Sequence, residues 1–232
     1  VSASAPVITL DGPGGAGKGT LAGRLSQWLG WALLDSGALY RLVGLYALRD
    51  GLSIDAAVDL ASAVARARAL DVHFESGAEG QRVLMEGDDV TQVIRSDEVS
   101  QAASLWAANP DIRAALLDRQ RAFAGAPGLI ADGRDMGTVI FPDADLKLFV
   151  TASAAERARR RYEQLSAQGV AANLSRIYRE IVDRDERDAS RETAPLKPAA
   201  DAHVIDTTGD SVDTSSRKIR ELVAARGWLG TS

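Results

Sequence analysis

The chain has 232 residues, 46% of them hydrophobic, no cysteine and a formal charge of −5. That length and apolar content suffice for one packed domain with appendages, while the lack of cysteine excludes a disulfide framework and a thiolate metal site and suits a reducing compartment. The acidic balance argues against wholesale attraction to nucleic acid or anionic lipid.

Val1 to Pro6 lack the basic residues and long apolar run of a secretion signal, and no apolar stretch approaches a membrane span. A soluble, cytoplasmic protein with no membrane partner is the expectation. Val7 to Leu10 then read as a buried strand. Gly12, Pro13, Gly14, Gly15, Ala16 and Gly17 form a turn nearly bare of side chains, and Lys18-Gly19-Thr20 opens a helix with Leu21, Leu25 and Trp28 at helical spacing. A phosphate in such a turn meets inward backbone N–H groups, the positive end of the helix dipole and the Lys18 ammonium, with the Thr20 hydroxyl set to reach Mg²⁺ or a phosphate oxygen. Gly19 stands where the usual loop has Ser or Thr, and the hydroxyl comes one place later. That spelling resembles the nucleoside monophosphate kinases.

Trp31 to Leu34 read as a second strand, with Ser36 as N-cap of a helix from Ala38 to Arg49 whose Leu39, Leu42, Val43 and Tyr46 share a face. Arg41, one turn in, reads either as a solvated charge or as a ligand group near a strand end. A helix follows over residues 53 to 70. Asp71 to Glu75, Arg82 to Glu86 and Val90 to Arg95 then read as two or three antiparallel strands, with turns at 76–80 and 87–89. A helix from Asp97 carries Ser104 and Trp106, Asn109-Pro110 breaks it, and another runs from Asp111 to Ala124 with Arg113. Leu129 to Ala131 form a strand ending at Asp132, a carboxylate suited either to orienting Mg²⁺ through water or to forming a turn. Leu146 to Thr151 are a further strand. Two arginine-rich helices follow, from Ala154 to near Gly169 and from Leu174 to Arg191. Arg157 and Arg161, and then Arg184, Asp188 and Arg191, repeat on one face, as a lid over polyphosphate would need. His203 to Thr207 and Val212 to Arg226 close the chain as strand and helix, and His73 and His203 read as core or surface residues. Only Lys18, Lys147, Lys197 and Lys218 are lysines among the 27 basic residues, a bias that either phosphate handling or a GC-rich genome produces.

The segments Gly12 to Thr20, Leu34 to Arg41, Ala131 to Val139 and Arg184 to Arg191 together resemble the bacterial cytidylate kinases, and the likeness runs over essentially the whole chain. The resemblance implies an α/β fold with a P-loop NTPase-type parallel sheet flanked by helices. Residues 1–36, 97–152 and 193–232 would form the core, 37–96 a nucleoside monophosphate-binding region with a β insertion near 71–95, and 153–192 a lid. It further implies phosphoryl transfer from ATP·Mg²⁺ to CMP or dCMP, giving ADP and CDP or dCDP. Lys18 and its loop, with Arg157, would take the ATP phosphates. Arg41, Arg134, Arg184 and Arg191 would surround the CMP phosphate, with Lys18, Arg134, Arg157 and Arg184 acting in catalysis. Ser104, Arg113 and Asp135 would read cytosine, Ser36 would line the site, Asp188 would contact the sugar, and Thr20 with Asp132 would serve the metal. Gly14 departs from the family pattern, which has Ser there, so the loop lacks one hydroxyl.

The chemistry is consistent with these roles. Cytosine offers an amino donor at N4 and acceptors at N3 and O2, matching an acceptor-only Asp135 and a donor-only Arg113; uracil opposes both, and such a mismatch can reject the wrong base by up to about 10⁴–10⁵-fold. A phosphate monoester with second pKa near about 6 is already a nucleophile, so no general base is called for. A GTPase switch would want a hydroxyl at position 19 and an Asn-Lys-x-Asp guanine reader, but Asn109 and Asn173 precede Pro and Leu. A non-enzymatic ATP-binding regulator has no use for a second arginine cluster, and a UMP, AMP or shikimate kinase is the nearest rival within kinases. An enzyme that opens and closes around two nucleotides needs no obligate interface, so a monomer is expected.

Overall fold

The computed structural model describes residues 5–77 and 80–228. Its chain falls into two compact units, 1–34 with 123–232, and 35–122. The expected turn at 76–80 includes Ala78 and Glu79, which lie outside the described residues.

The first unit is built on a five-stranded sheet. Its strands are β1 (Val7–Asp11), β2 (Ala32–Asp35, whose last residue opens the second unit), β6 (Leu129–Asp132), β7 (Leu146–Thr151) and β8 (His203–Asp206), in the order β2-β6-β1-β7-β8. β1 pairs in parallel with β6 on one side and β7 on the other, and β7 with β8. Every residue of β1 is buried, as the continuous apolar run of a central parallel strand requires. Helix α1 (Lys18–Leu29) lays Leu21, Ala22 and Leu25 onto Ile8, Leu10 and Ile130. Trp28, expected on that face, is instead 37% exposed beneath Arg220. The arginine-rich helices are α6 (Ala154–Ala167) and α7 (Leu174–Ser190), and α8 (Val212–Ala224) buries Ile219 and Val223 in the same core.

The second unit holds α2 (Ser36–Arg49), α3 (Ala57–Arg68), α4 (Asp97–Trp106), α5 (Pro110–Arg121) and a small antiparallel sheet, β3 (Val72–Gly77), β4 (Gly80–Met85) and β5 (Asp88–Asp89). Leu39, Leu42, Val43 and Tyr46 all point inward, as their spacing predicts. Helix α5 starts on Pro110, with the Asn109 side chain accepting from the amides of Asp111 and Ile112.

The turn expected at 87–89 lies at Glu86 and Gly87, with Asp88–Asp89 paired to β4 as β5, and three further departures from the sequence reading have a visible cause. Ser36 is inside α2 rather than capping it; Asp35 is the cap, its Oδ1 accepting from the Ala38 amide at 3.0 Å. Helix α3 begins at Ala57 because Ser53 to Ala56 turn: the Ser53 amide goes to Asp59 Oδ2 and the Asp55 amide to Ser53 Oγ, local bonds that compete with helix. Val90 to Arg95 are not a strand. Asp89 Oδ1 accepts from the Thr91 amide and Thr91 Oγ1 from the Val83 amide, so the chain turns off β4 and enters a 3₁₀ turn at Val93–Arg95. Both histidines lie at the surface.

Two helical glycines should respond with opposite signs. A Cβ on Gly44 in α2 would lie 2.7 Å from the Ala103 amide nitrogen of α4, whereas one on Gly23 in α1 meets nothing within 4 Å. Gly44→Ala should cost about 1–3 kcal/mol through forced separation of α2 and α4. Gly23→Ala should gain about 0.5–1 kcal/mol, both read from urea midpoints.

Candidate active site

Strand order in the five-stranded sheet turns at β1, and the end of such a strand is where open α/β sheets bind ligands. The chain leaves β1 through Gly12, at φ +144°, where a Cβ would lie 1.9 Å from the Val150 carbonyl oxygen, so only glycine passes. Gly17 is the left-handed N-cap of α1 and brings no side-chain bond to it, so no cap side chain takes the amides that open α1, groups of the kind an anion can satisfy. Lys18 is 6% exposed, with Nζ donating to the Pro13 carbonyl at 2.9 Å. Burial pushes its pKa well down, with Arg134 and Arg184 adding to the fall and Asp132 and Asp11 opposing it. An ammonium so placed gains by meeting an anion.

Arg134 and Arg184 stand over the same loop: a Cβ on Gly14 would lie 3.3 Å from Arg134 Nη2 and 3.7 Å from Arg184 Nη1. Arg134 Nε donates to Asp188 Oδ2 at 3.0 Å, and Arg191 Nη2 donates to Asp188 Oδ1. Burial alone would raise the Asp188 pKa, but Arg134, Arg191 and Arg184 more than offset it and hold the group below the usual carboxylate range. Here Asp188 organises arginines.

Arg157 also reaches the loop, its stem against Gly15 and its Nη1 3.2 Å from the Gly14 carbonyl oxygen. Its fork is engaged bidentately by Asp185, at 3.0 Å and 2.5 Å, and its Nε donates to the Ala152 carbonyl, so the arginine ties the loop to both α6 and α7. Arg161 bonds Gln164 on its own helix.

Asp132 ends β6 with Oδ2 3.6 Å from where a Cβ on Gly19 would stand, beside Thr20, whose residue is exposed. Among the described residues no three His, Cys, Asp or Glu side chains could hold a metal by themselves. One carboxylate and one hydroxyl are hard oxygen donors of the kind Mg²⁺ takes together with water and phosphate oxygens, so these residues fit that ion. Asp135 is 1% exposed and occupies the N-cap of a π-helical turn, Met136–Ile140, that the sequence did not announce.

In the second unit, Arg41 Nη2 donates to Asp35 Oδ2 at 2.8 Å, so the residue that caps α2 also aims the arginine. Ser36 Oγ is 2.7 Å from Oε1 of the fully buried Gln120. Ser104 is 4% exposed and its hydroxyl has no hydrogen-bond partner among the described residues. Arg113 is 7% exposed, with Nη1 on the Ala107 carbonyl at 3.1 Å and its guanidinium 5.4 Å over the Tyr40 ring. The expected groups thus collect in two sets: the loop with Arg134, Asp135, Arg157, Arg184, Asp188 and Arg191 in the first unit, and Ser36, Arg41, Ser104 and Arg113 in the second.

Sequence reasoning missed the carboxylates Asp11, Asp35 and Asp185 and the amide of Gln120, which hold the named residues. Only Asp35 carried a local signal, an Asp directly before a helix. No helix among the described residues is long and apolar enough to cross a membrane.

A family model for cytidylate kinase matches residues 8–225. A cytidylate kinase of Pseudomonas savastanoi pv. phaseolicola is 54% identical over 228 residues, covering 97% of this chain and 98% of the relative. One of Aeromonas hydrophila subsp. hydrophila is 56% identical over 209 residues, 90% of each. Among solved structures, an uncharacterized protein from Eubacterium ventriosum superposes with a TM-score of 0.52 at 12% identity, over 95% of this chain and 98% of that one, a likeness of fold. The glycine loop, the parallel sheet and these full-length likenesses agree: the chain belongs to the cytidylate kinase family, phosphotransferases that move a phosphoryl group from ATP to CMP.

Proposed function

We propose that this protein transfers the γ-phosphoryl of ATP to CMP or dCMP, forming ADP and CDP or dCDP, as a monomer in the cytoplasm acting on free nucleotides. The observation that carries this reading is the meeting, within the first unit, of a glycine loop and buried lysine with a second set of cations, Arg134 and Arg184, standing over Gly14. Two anionic groups must come into line for this reaction, and cations fixed in advance lower its electrostatic cost without reorganising when the charge shifts.

On this reading the loop amides from Gly12 to Thr20 and Lys18 hold the donor phosphates, with Arg157 fixing the loop from α6. Arg41, Arg134, Arg184 and Arg191 hold the acceptor phosphate, whose oxygen is ionised at neutral pH and needs no base to attack. Arg113 and Asp135 read cytosine, Ser36 and Ser104 add hydroxyl contacts, and Asp188 serves the sugar as well as the arginines. Mg²⁺, when bound by Thr20 and through water by Asp132, supplies neutralisation of the donor's charge. Residues 37–96 would act as the acceptor-binding region and 153–192 as the lid that keeps water from the γ-phosphoryl.

The test is ADP formation with one donor and a panel of CMP, dCMP, UMP, AMP and shikimate. CMP and dCMP should lead, and a different leading acceptor, or ADP formation indifferent to any acceptor, overturns the reading. Asp135→Ala should bring the CMP over UMP ratio in kcat/KM down by about 10²-fold or more, since the uncompensated mismatch with uracil disappears. Lys18→Ala should lower kcat by about 10²–10³-fold with the far-ultraviolet circular dichroism unchanged.

Asp188 also makes a prediction about pH. Its pKa is depressed, so its contribution to stability is fully present above the unfolded value of about 4 and is lost as pH falls through the lower folded value. Asp188→Asn should therefore lose about 3–5 kcal/mol at pH 7, from arginines left without their counter-charge, and show a flatter acid limb when urea midpoints are followed down to low pH.

A further inference from the structure

We propose that Asp11 is a positioning residue for acceptor choice: its carboxylate clamps the turn that carries Arg134 and Asp135, and so sets where the cytosine-reading group stands. The inference rests on the reading of Asp135 as a base reader.

The clamp is visible in the order of bonds along the chain. β6 stays in register with β1 through Asp132, and the Gly133 amide makes the last sheet-like bond, to the Leu10 carbonyl at 3.0 Å. The next anchors are the Met136 amide on Asp11 Oδ1 at 2.7 Å and the Gly137 amide on Asp11 Oδ2 at 2.8 Å. Arg134 and Asp135 are therefore the only two residues between a bond to Leu10 and a pair of bonds to Asp11, its neighbour on β1. The central strand fixes this two-residue bridge at both ends.

The carboxylate also performs a capping duty that would ordinarily fall to Asp135. An aspartate at an N-cap commonly folds its side chain back onto the first amides of its own helix. Asp135 occupies that position at the head of the π-helical turn and makes no such bond, because Asp11, from 125 residues away, takes those amides. The Asp11 pKa stands raised at about 6, with burial pushing it up, the Gly137 and Met136 amides pulling it down and nearby Asp135 pushing it up. A carboxylate retained at such a cost, 4% exposed and bonded on both oxygens, answers to geometry at the turn.

Asp11→Asn keeps the shape but offers one acceptor to two backbone donors and turns an N–H toward the other, so the turn must shift. Asp11 also stands near Lys18 and the glycine loop, and the readout separates the two roles. If Asp11 positions Asp135, Asp11→Asn should lower the CMP over UMP ratio in kcat/KM by about tenfold or more while the KM for ATP moves by less than about threefold. Gly137→Ala gives a second route that leaves Asp11 intact and serves if Asp11→Asn does not fold. Its Cβ would stand 2.8 Å from Thr9 Oγ1, a buried hydroxyl with no hydrogen-bond partner among the described residues, and 3.2 Å from the Lys147 stem, so it should lower the same ratio, and adding Thr9→Ala, which removes the tighter contact, should restore part of it. An unchanged ratio in the folded variants, or an equal loss toward every acceptor with a raised KM for ATP, overturns the inference. Wild-type enzyme and Asp135→Ala run beside them tell the failures apart. A wild type with no preference for CMP removes the underlying reading, while a preference abolished by Asp135→Ala and untouched by Asp11→Asn or Gly137→Ala removes this inference alone.

Discussion

Like charges crowded into a poorly hydrated place are the constraint on which this structure turns. Lys18, Arg134, Arg184 and Arg157 all stand at the glycine loop, and each guanidinium or ammonium would be costly if left to its neighbours. Buried and half-buried carboxylates make the arrangement tolerable. Asp188 sits between Arg134 and Arg191, Asp185 takes the fork of Arg157, and Asp132 with Asp11 offsets part of the charge around Lys18. The second unit repeats the device with Asp35 on Arg41. Such pairs are weak contributors to net stability, but removing one partner is severe, and their value here is that cations are aimed before the ligand arrives.

The backbone around the loop follows from the same demand. Side chains must approach the phosphate turn closely from several elements, so the turn itself must be thin. Arg157 lies against Gly15, Arg134 and Arg184 over Gly14, and Asp132 beside Gly19. A serine at position 14 would bring its Cβ to 3.3 Å from the flexible end of Arg134, a contact the arginine can relieve by a few tenths of an ångström. Gly14 therefore changes the local hydroxyl inventory while leaving the route of the chain alone.

The fold was legible where its causes are local. Val7 to Asp11, Leu146 to Thr151 and the start of α1 at Lys18 are written in runs, glycines and spacing, and the register of β1 with β6 and β7 follows once two more apolar runs exist. Errors came where a short polar side chain competes with regular structure: Asp35 in place of Ser36 as a cap, Asp89 and Thr91 turning the chain off β4, and Ser53 with Asp59 delaying α3. The site was legible in its cations, which sit in motifs, and illegible in what holds them. Asp11 answers amides 125 residues on, Gln120 answers Ser36 across 84, and Asp185 answers Arg157 across 28. Nothing in the spacing of residues marks such pairs, because tertiary packing brings them together: the sheet for Asp11, α2 with α5 for Ser36 and Gln120, and α6 with α7 for Arg157 and Asp185.

The arginine bias of the composition, ambiguous when read alone, divides on inspection into two populations. Arg176 makes an exposed i,i+4 pair with Glu180, where a lysine would serve about as well. Arg134, Arg157 and Arg160 do something a lysine cannot. Arg160 spreads Nε to Glu156 and both Nη groups to Thr207, Arg157 divides its fork among Ala152, Gly14 and Asp185, and Arg134 gives Nε to Asp188 while Nη2 faces Gly14. A planar group gripped along one edge has its other edge oriented as a consequence, whereas an ammonium held by one carboxylate can still swing about its stem. Substituting lysine at Arg134 would conserve the charge and lose the aim, so charge count alone cannot explain why arginine occupies that position.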